Sequence, residues 1–210
     1  MSDLPNLSGK FIVFDGPDGC GKTTQMKLLV AKLEKAGVKV RQFREPGGTL
    51  IGEQIRPILL DTKNHDMDIR CEMLLYMASR AQLVQQEIRP ALAAGECVVA
   101  DRFVSSTLAY QGGGGGMNLD DIHQAARIAT DGTFPDLTII FDLDTATAMA
   151  RLGSEKDRIE QRPHDYFERV RQNYLWQTRQ WPERYRTVDA AQEIPRVEEQ
   201  VIQVLREFFT

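Results

Sequence analysis

The 210-residue chain has few cysteines, few aromatics, no excess of positive charge and no long apolar run. Cys20, Cys71 and Cys97 stand apart without CxxC spacing. An odd, scattered set without metal-like spacing suits a reducing, cytoplasmic setting better than a disulfide framework. The opening MSDLPNLSGK lacks the apolar stretch of a leader, and no run nears the ~20 residues of a membrane span. No membrane partner is expected. Lysine and arginine number 26 against 30 aspartates and glutamates, for a net charge of −4. That balance argues against a nucleic-acid partner but permits a small basic pocket. His65, His123 and His164 have no partners at ligand spacing, so no zinc site is expected.

Apolar runs of strand length, with helical patterns between them, are what the chain does have. FIVFD (11–15), VKVRQF (38–43), CVVAD (97–101), LTIIF (137–141) and YRTVDA (185–190) read as strands. After the first, Met26, Leu29, Val30 and Leu33 form a helical stripe ended by Gly37. Further helical patterns cover about 50–60, 68–94, 118–130, 144–152, 164–180 and 195–209, with Pro90 expected to break or kink the second of these. Asn118 has the position of an N-cap. The alternation predicts one α/β domain over 1–210, a five-stranded parallel sheet flanked by helices, with ligands beyond the carboxyl ends of the strands. QGGGGGM (111–117) reads as a flexible loop.

One stretch carries a specific chemistry. Gly16, Pro17, Asp18, Gly19, Cys20, Gly21, Lys22 and Thr23 satisfy G-x-x-x-x-G-K-[ST], between a strand and a helix that continues through Thr24. Glycines let backbone N–H groups turn around phosphate oxygens, and the helix N-terminus adds its dipole. Lys22 is expected to reach the β- and γ-phosphates of a nucleoside triphosphate, and the Thr23 hydroxyl to bind Mg²⁺. Asp101 at the tip of CVVAD offers a carboxylate on the magnesium side, followed by Arg102; a surface ion pair is the alternative reading. Asp144, ahead of TATAMARL, reads as a helix cap.

Such a loop serves motors, switches and kinases alike. No N-K-x-D guanine reader is present, and TKNHD (62–66) does not match one. Arg44, Arg56, Arg80 and Arg102 lie on separate elements of an acidic chain, as a second pocket for an anionic acceptor would require. Solvated surface arginines would look the same.

With REPGGT (44–49), LLYMASRAQ (74–82), DRF (101–103), SSTLAYQGGG (105–114), PDLTIIFDLD and DRIEQ (157–161) in order around the phosphate loop, the whole chain resembles the bacterial thymidylate kinases. The resemblance implies a P-loop nucleoside monophosphate kinase with a short lid, here about 150–163. It implies a homodimer and phosphoryl transfer from ATP to dTMP, giving dTDP and ADP for dTTP synthesis. Helices 68–94 and 118–130 are both open as the dimer face. By the same resemblance Tyr76 stacks on thymine, Arg80 donates to the base, and Thr107 and Gln111 make polar base contacts beside Ser106. Tyr110 lies under the deoxyribose, Asp18 near the sugar 3′-hydroxyl, and Glu45, Arg56 and Arg102 at the acceptor phosphate. Another monophosphate as acceptor, or a nucleotide switch, are the alternatives.

Two departures from the family pattern stand out. Gly19 occupies the loop position where some relatives carry a catalytic arginine, and Gly115 stands where relatives often have another. The lid offers Arg151, Lys156, Arg158 and Arg162 instead. Arg158 is the first choice for the cation near the transferred group and Lys156 the second; a fully solvated lid face is the alternative.

Overall fold

A computed structural model describes residues 4–153 and 155–209. Strands β1 (Phe11–Asp15), β2 (Val40–Arg44), β3 (Cys97–Asp101), β4 (Leu137–Asp142) and β5 (Tyr185–Asp189) form one parallel sheet in the order β2-β3-β1-β4-β5. The apolar runs of β1 and β3 are buried along their whole length, as central parallel strands must be. β2 begins two residues later than its alternation suggests, where pairing with β3 starts at Val40 and Cys97.

Helices α1 (Lys22–Lys35) and α9 (Ile194–Phe209) cover one face, packing Leu29, Leu33, Val201 and Leu205 against Ile12, Phe14 and Ile139. α2 (Leu50–Leu60), α3 (Ile69–Leu83), α4 (Arg89–Ala93), α5 (Val104–Thr107) and α6 (Leu119–Thr130) follow in chain order. On the opposite face Met73, Leu83, Val104 and Ile122 meet Phe11, Val13 and Val98. α7 (Thr145–Ala150) and α8 (His164–Gln180) complete the described helices. Asn118 caps α6 by accepting from the Asp120 N–H, and Asp144 caps α7 by accepting from Thr147. The 68–94 pattern is interrupted by a π turn, Val84–Ile88, just ahead of Pro90, which cannot donate to the preceding turn.

Residues 108–114 are a correction to the sequence reading. Through Gly114 the glycine run is no loop: α5 continues into a π-helical segment, Leu108–Gly114, packed on α8. A Cβ on Gly113 would lie 2.5 Å from the Asn173 Cβ, and one on Gly114 would lie 2.6 Å from the Tyr166 ring. Glycine is there so that two helices can touch backbone to side chain. The wide turn leaves the Tyr110 carbonyl accepting from the Gly115 N–H at 2.8 Å and from the Tyr166 hydroxyl at 2.9 Å.

Candidate active site

The strand order reverses about β1, so Asp15, Asp101 and Asp142 end three adjacent strands at one edge of the sheet. There Gly16, Gly19 and Gly21 all take positive φ, wrapping the loop around the N-terminus of α1. The Lys22 ammonium is buried inside this turn, donating to the carbonyls of Gly16 at 3.0 Å and Pro17 at 2.8 Å. Burial pushes the Cys20 thiol up despite Lys22 beside it, so Cys20 is a packing residue with no reactive thiolate. A Cβ at Gly19 would lie 2.5 Å from the Ala148 carbonyl oxygen, and its φ of 79° disfavours any side chain. Position 19 is thus closed to a side chain in this chain.

Thr23 Oγ1 donates to Asp101 Oδ2 at 3.0 Å, joining the loop to the tip of β3. A hydroxyl and a carboxylate at this edge are hard oxygen donors that fit Mg²⁺, which takes few protein ligands and leaves its other positions to phosphate and water. Among the described residues no group of three or more His, Cys, Asp and Glu forms a metal cluster.

Arg102, next in the chain, adopts φ 74°, a left-handed conformation unusual for a non-glycine residue. Such strain costs about 1–3 kcal/mol and persists only where the surroundings fix it. They do. Its N–H donates to the Phe14 carbonyl, and its guanidinium reaches Asp18 Oδ1 at 2.5 Å, the Gly16 carbonyl at 3.2 Å and Ser106 Oγ at 3.0 Å. Behind it, buried Asp15 accepts from Ser105, Ser106 and Tyr174. Burial opposes the Asp18 charge, but Arg102 and Lys22 outweigh it and hold its pKa at about 2. Tyr110 donates to Asp18 Oδ2 at 3.0 Å, and its ring lies 5.0 Å from the Arg102 guanidinium.

Two cavities open on either side of this group. One, about 400 Å³, is walled by Gly19, Gly21, Lys22, Thr23, Thr24, Arg44, Asp101 and Arg151. The other, about 90 Å³, is walled by Tyr76, Ser106, Thr107, Tyr110, Gln111, Asp157 and Ile159. Asp18, Glu45, Arg56 and Arg102 belong to both. A third hollow, about 540 Å³, continues past Thr24 to Arg151, Ala190, Gln192 and Ile194.

Arg80 stands apart from the other predicted contacts. It is 1% exposed and lines neither cavity. Its Nε and Nη2 grip the Glu45 carboxylate, Nη2 also donates to the Phe103 carbonyl, and Nη1 to Thr107 Oγ1 and Met77 Sδ. All five N–H groups are engaged, so donation to a base requires one of these to be exchanged. Burial pushes the Glu45 carboxyl up against the pull of Arg80.

The lid differs from its sequence reading more sharply. Arg158 does not face the phosphate loop: it is 4% exposed, with Nε on the Leu59 carbonyl at 2.8 Å and Nη1 2.6 Å from Glu72 Oε2. Lys156 is exposed and lines none of the three cavities. The lid-side cation on the phosphate cavity is Arg151, which was only one of four candidates. Sequence reasoning also passed over Glu72 and Asp15. Glu72 lies four residues before Tyr76 and eight before Arg80, a spacing that puts all three on one helix face and marks it. Ser154 in the lid lies outside the described residues.

Known proteins resemble this chain over nearly its full length. A family model described as thymidylate kinase matches residues 14–201. The chain is 43% identical over 203 residues to a thymidylate kinase of Caldanaerobacter subterraneus, covering 96% of this chain and 97% of that one. It is 46% identical over 198 residues to a thymidylate kinase of an Exiguobacterium, covering 93% of each. A solved thymidylate kinase from Ehrlichia chaffeensis superposes with a TM-score of 0.79 at 33% identity, over 95% of this chain and 99% of that one.

Proposed function

The chain belongs to the thymidylate kinase family, and from that premise we propose how it transfers the γ-phosphoryl group of ATP to dTMP, giving dTDP and ADP. The observation that carries the residue assignment is the shared wall. A phosphate loop opens directly onto an acceptor cavity across Asp18, Glu45, Arg56 and Arg102.

The triphosphate is held by the backbone of residues 16–21, by Lys22, which exchanges its loop carbonyls for phosphate oxygens, and by Thr23 and Thr24. Thr23 and Asp101 are the protein donors for Mg²⁺. Mg²⁺ held by these two groups would offset the negative charge of the triphosphate. The base of ATP takes the hollow beside Gln192 and Ile194, and Arg151 bridges that hollow and the phosphates. On the acceptor side Tyr76 stacks on thymine, Thr107 and Gln111 meet its polar edge beside Ser106, and Tyr110 carries the deoxyribose. Arg80 holds Glu45 and Thr107 in place. Asp18, hydrogen-bonded to Tyr110 and Arg102, faces the sugar 3′-hydroxyl.

Phosphoryl transfer between two polyanions is limited by repulsion and alignment, and the acceptor phosphate, already ionised, needs no general base. Arg102 is the cation at the meeting point, fixed by its strained backbone, and Arg56 adds a second. Exposed Leu50, Ile58, Leu74 and Ile128 lie on the adjoining helices α2, α3 and α6, and we assign this surface to a homodimer. No described helix is long and apolar enough to cross a membrane, and a cytoplasmic site fits the free thiols.

ADP formation with Mg-ATP and dTMP tests the reading. Lys22→Ala is expected to lower kcat by about 10²–10³-fold. Undiminished turnover in that variant would remove Lys22 from the mechanism, and absence of dTMP-dependent ADP from the parent chain would remove the acceptor assignment.

A further inference from the structure

Glu72 is 0% exposed, and three side chains from two other segments converge on its carboxylate. Gln111 Nε2 donates to Oε1 at 2.8 Å, Arg162 Nη2 donates to Oε2 at 3.2 Å, and Arg158 Nη1 lies 2.6 Å from Oε2. A buried acid with two guanidinium groups and an amide around it is a fixed acceptor, held on one side by the lid. The lid in turn is anchored, since the Arg158 N–H and Nε donate to the carbonyls of Leu60 and Leu59.

The consequence falls on Gln111. An amide side chain can present either its oxygen or its NH₂ group to a ligand, and a neutral neighbour would tolerate both. A carboxylate only accepts, so the Gln111 NH₂ must face Glu72. Gln111 lines the acceptor cavity, and among the described residues nothing donates to its Oε1. We infer that Glu72 is a positioning residue for acceptor choice: it orients the Gln111 amide so that the acceptor base meets an oxygen.

This inference rests on the kinase reading and deepens it. A base offering an N–H at this edge, as the imide of thymine or uracil does, is accepted. Cytosine offers a lone pair at the same ring position and is turned away, because two acceptors are then brought face to face.

The test is kcat/KM with dTMP, dUMP and dCMP for the parent, Glu72→Gln and Glu72→Asp. Glu72→Asp keeps a charge for the two arginines but withdraws it from the amide, so it provides a second variant should Glu72→Gln fail to fold. Both are expected to lower the dTMP-to-dCMP ratio by about tenfold or more, chiefly through KM for dTMP, with dUMP following dTMP. In a Gln111→Leu background Glu72→Asp is expected to leave the ratio unchanged. A purely structural Glu72 would lower turnover of dTMP and dCMP in parallel. A parallel loss, or an equal effect of Glu72→Asp with and without Gln111, overturns the inference while leaving the kinase assignment intact. A parent chain inactive on dTMP overturns the kinase assignment instead.

Discussion

Gly16, Gly19 and Gly21 have φ of 138°, 79° and 89°, whereas Gly112, Gly113 and Gly114 are helical and none of them has positive φ. Both stretches are glycine-rich and both border the same site, yet glycine meets a different need in each. In the phosphate loop it permits a backbone path that brings N–H groups around an anion. In the second run it removes side chains so that neighbours can approach, α6 at Gly112 and α8 at Gly113 and Gly114, next to the Tyr110 and Gln111 of the acceptor wall. Composition alone cannot separate the two uses. Only the neighbours can.

The comparison is broken most severely by putting a Cβ into the first stretch. A Cβ at Gly16 would sit 2.6 Å from the Phe141 carbonyl oxygen, which belongs to the sheet and has little freedom to retreat. Gly16→Ala is expected to lower kcat/KM for Mg-ATP by about 10²-fold or more, since misplacing phosphate contacts by about 1 Å has that effect. Turnover within about threefold of the parent would show that the loop glycine serves space less strictly than its geometry implies.

A Cβ in the second stretch should act on stability first. At Gly114 it would meet the Tyr166 ring at 2.6 Å and Val170 Cγ2 at 2.9 Å. Overpacking of this kind costs about 1–3 kcal/mol, partly offset by the better helix propensity of alanine. Thermal unfolding of Gly114→Ala should fall by several degrees, at about 2–4 °C per kcal/mol for a chain of this size. KM for dTMP should rise more than KM for ATP, because the disturbed helix carries acceptor contacts. An equal rise in both would mean that the two cavities move together.

These contrasts bear on what can be read from residues in a row. The strand cores, the helix over 164–180 and the caps at Asn118 and Asp144 were legible, because each follows from local periodicity or local hydrogen bonding. The phosphate loop was legible because its chemistry lies in one contiguous segment. The middle of the glycine run was not: the reason for Gly113 and Gly114 is Asn173 and Tyr166, more than fifty residues away. Arg158, the first choice for a cation near the transferred group, is held instead by Glu72 on a distant helix, a partner that no local pattern indicates. Arg80 shows the intermediate case, in which placement on the right helix face was evident but its partner Glu45 was not.

The smallest effect is expected where the second run ends. Gly116 has φ 75°, like the phosphate-loop glycines, but a Cβ there would meet nothing within 4 Å. It therefore isolates the backbone need from the space need. Gly116→Ala carries the left-handed penalty of about 1–2 kcal/mol, reduced by the about 0.4–1 kcal/mol gained from a less flexible unfolded chain. Gly116→Asn, whose short polar side chain tolerates this conformation, should lose less again. Paired melts of the two variants check the order, and KM for dTMP should stay within about twofold of the parent in both. A loss at Gly116→Ala as large as that at Gly114→Ala would mean that backbone conformation, and not the approach of α8, governs the whole run.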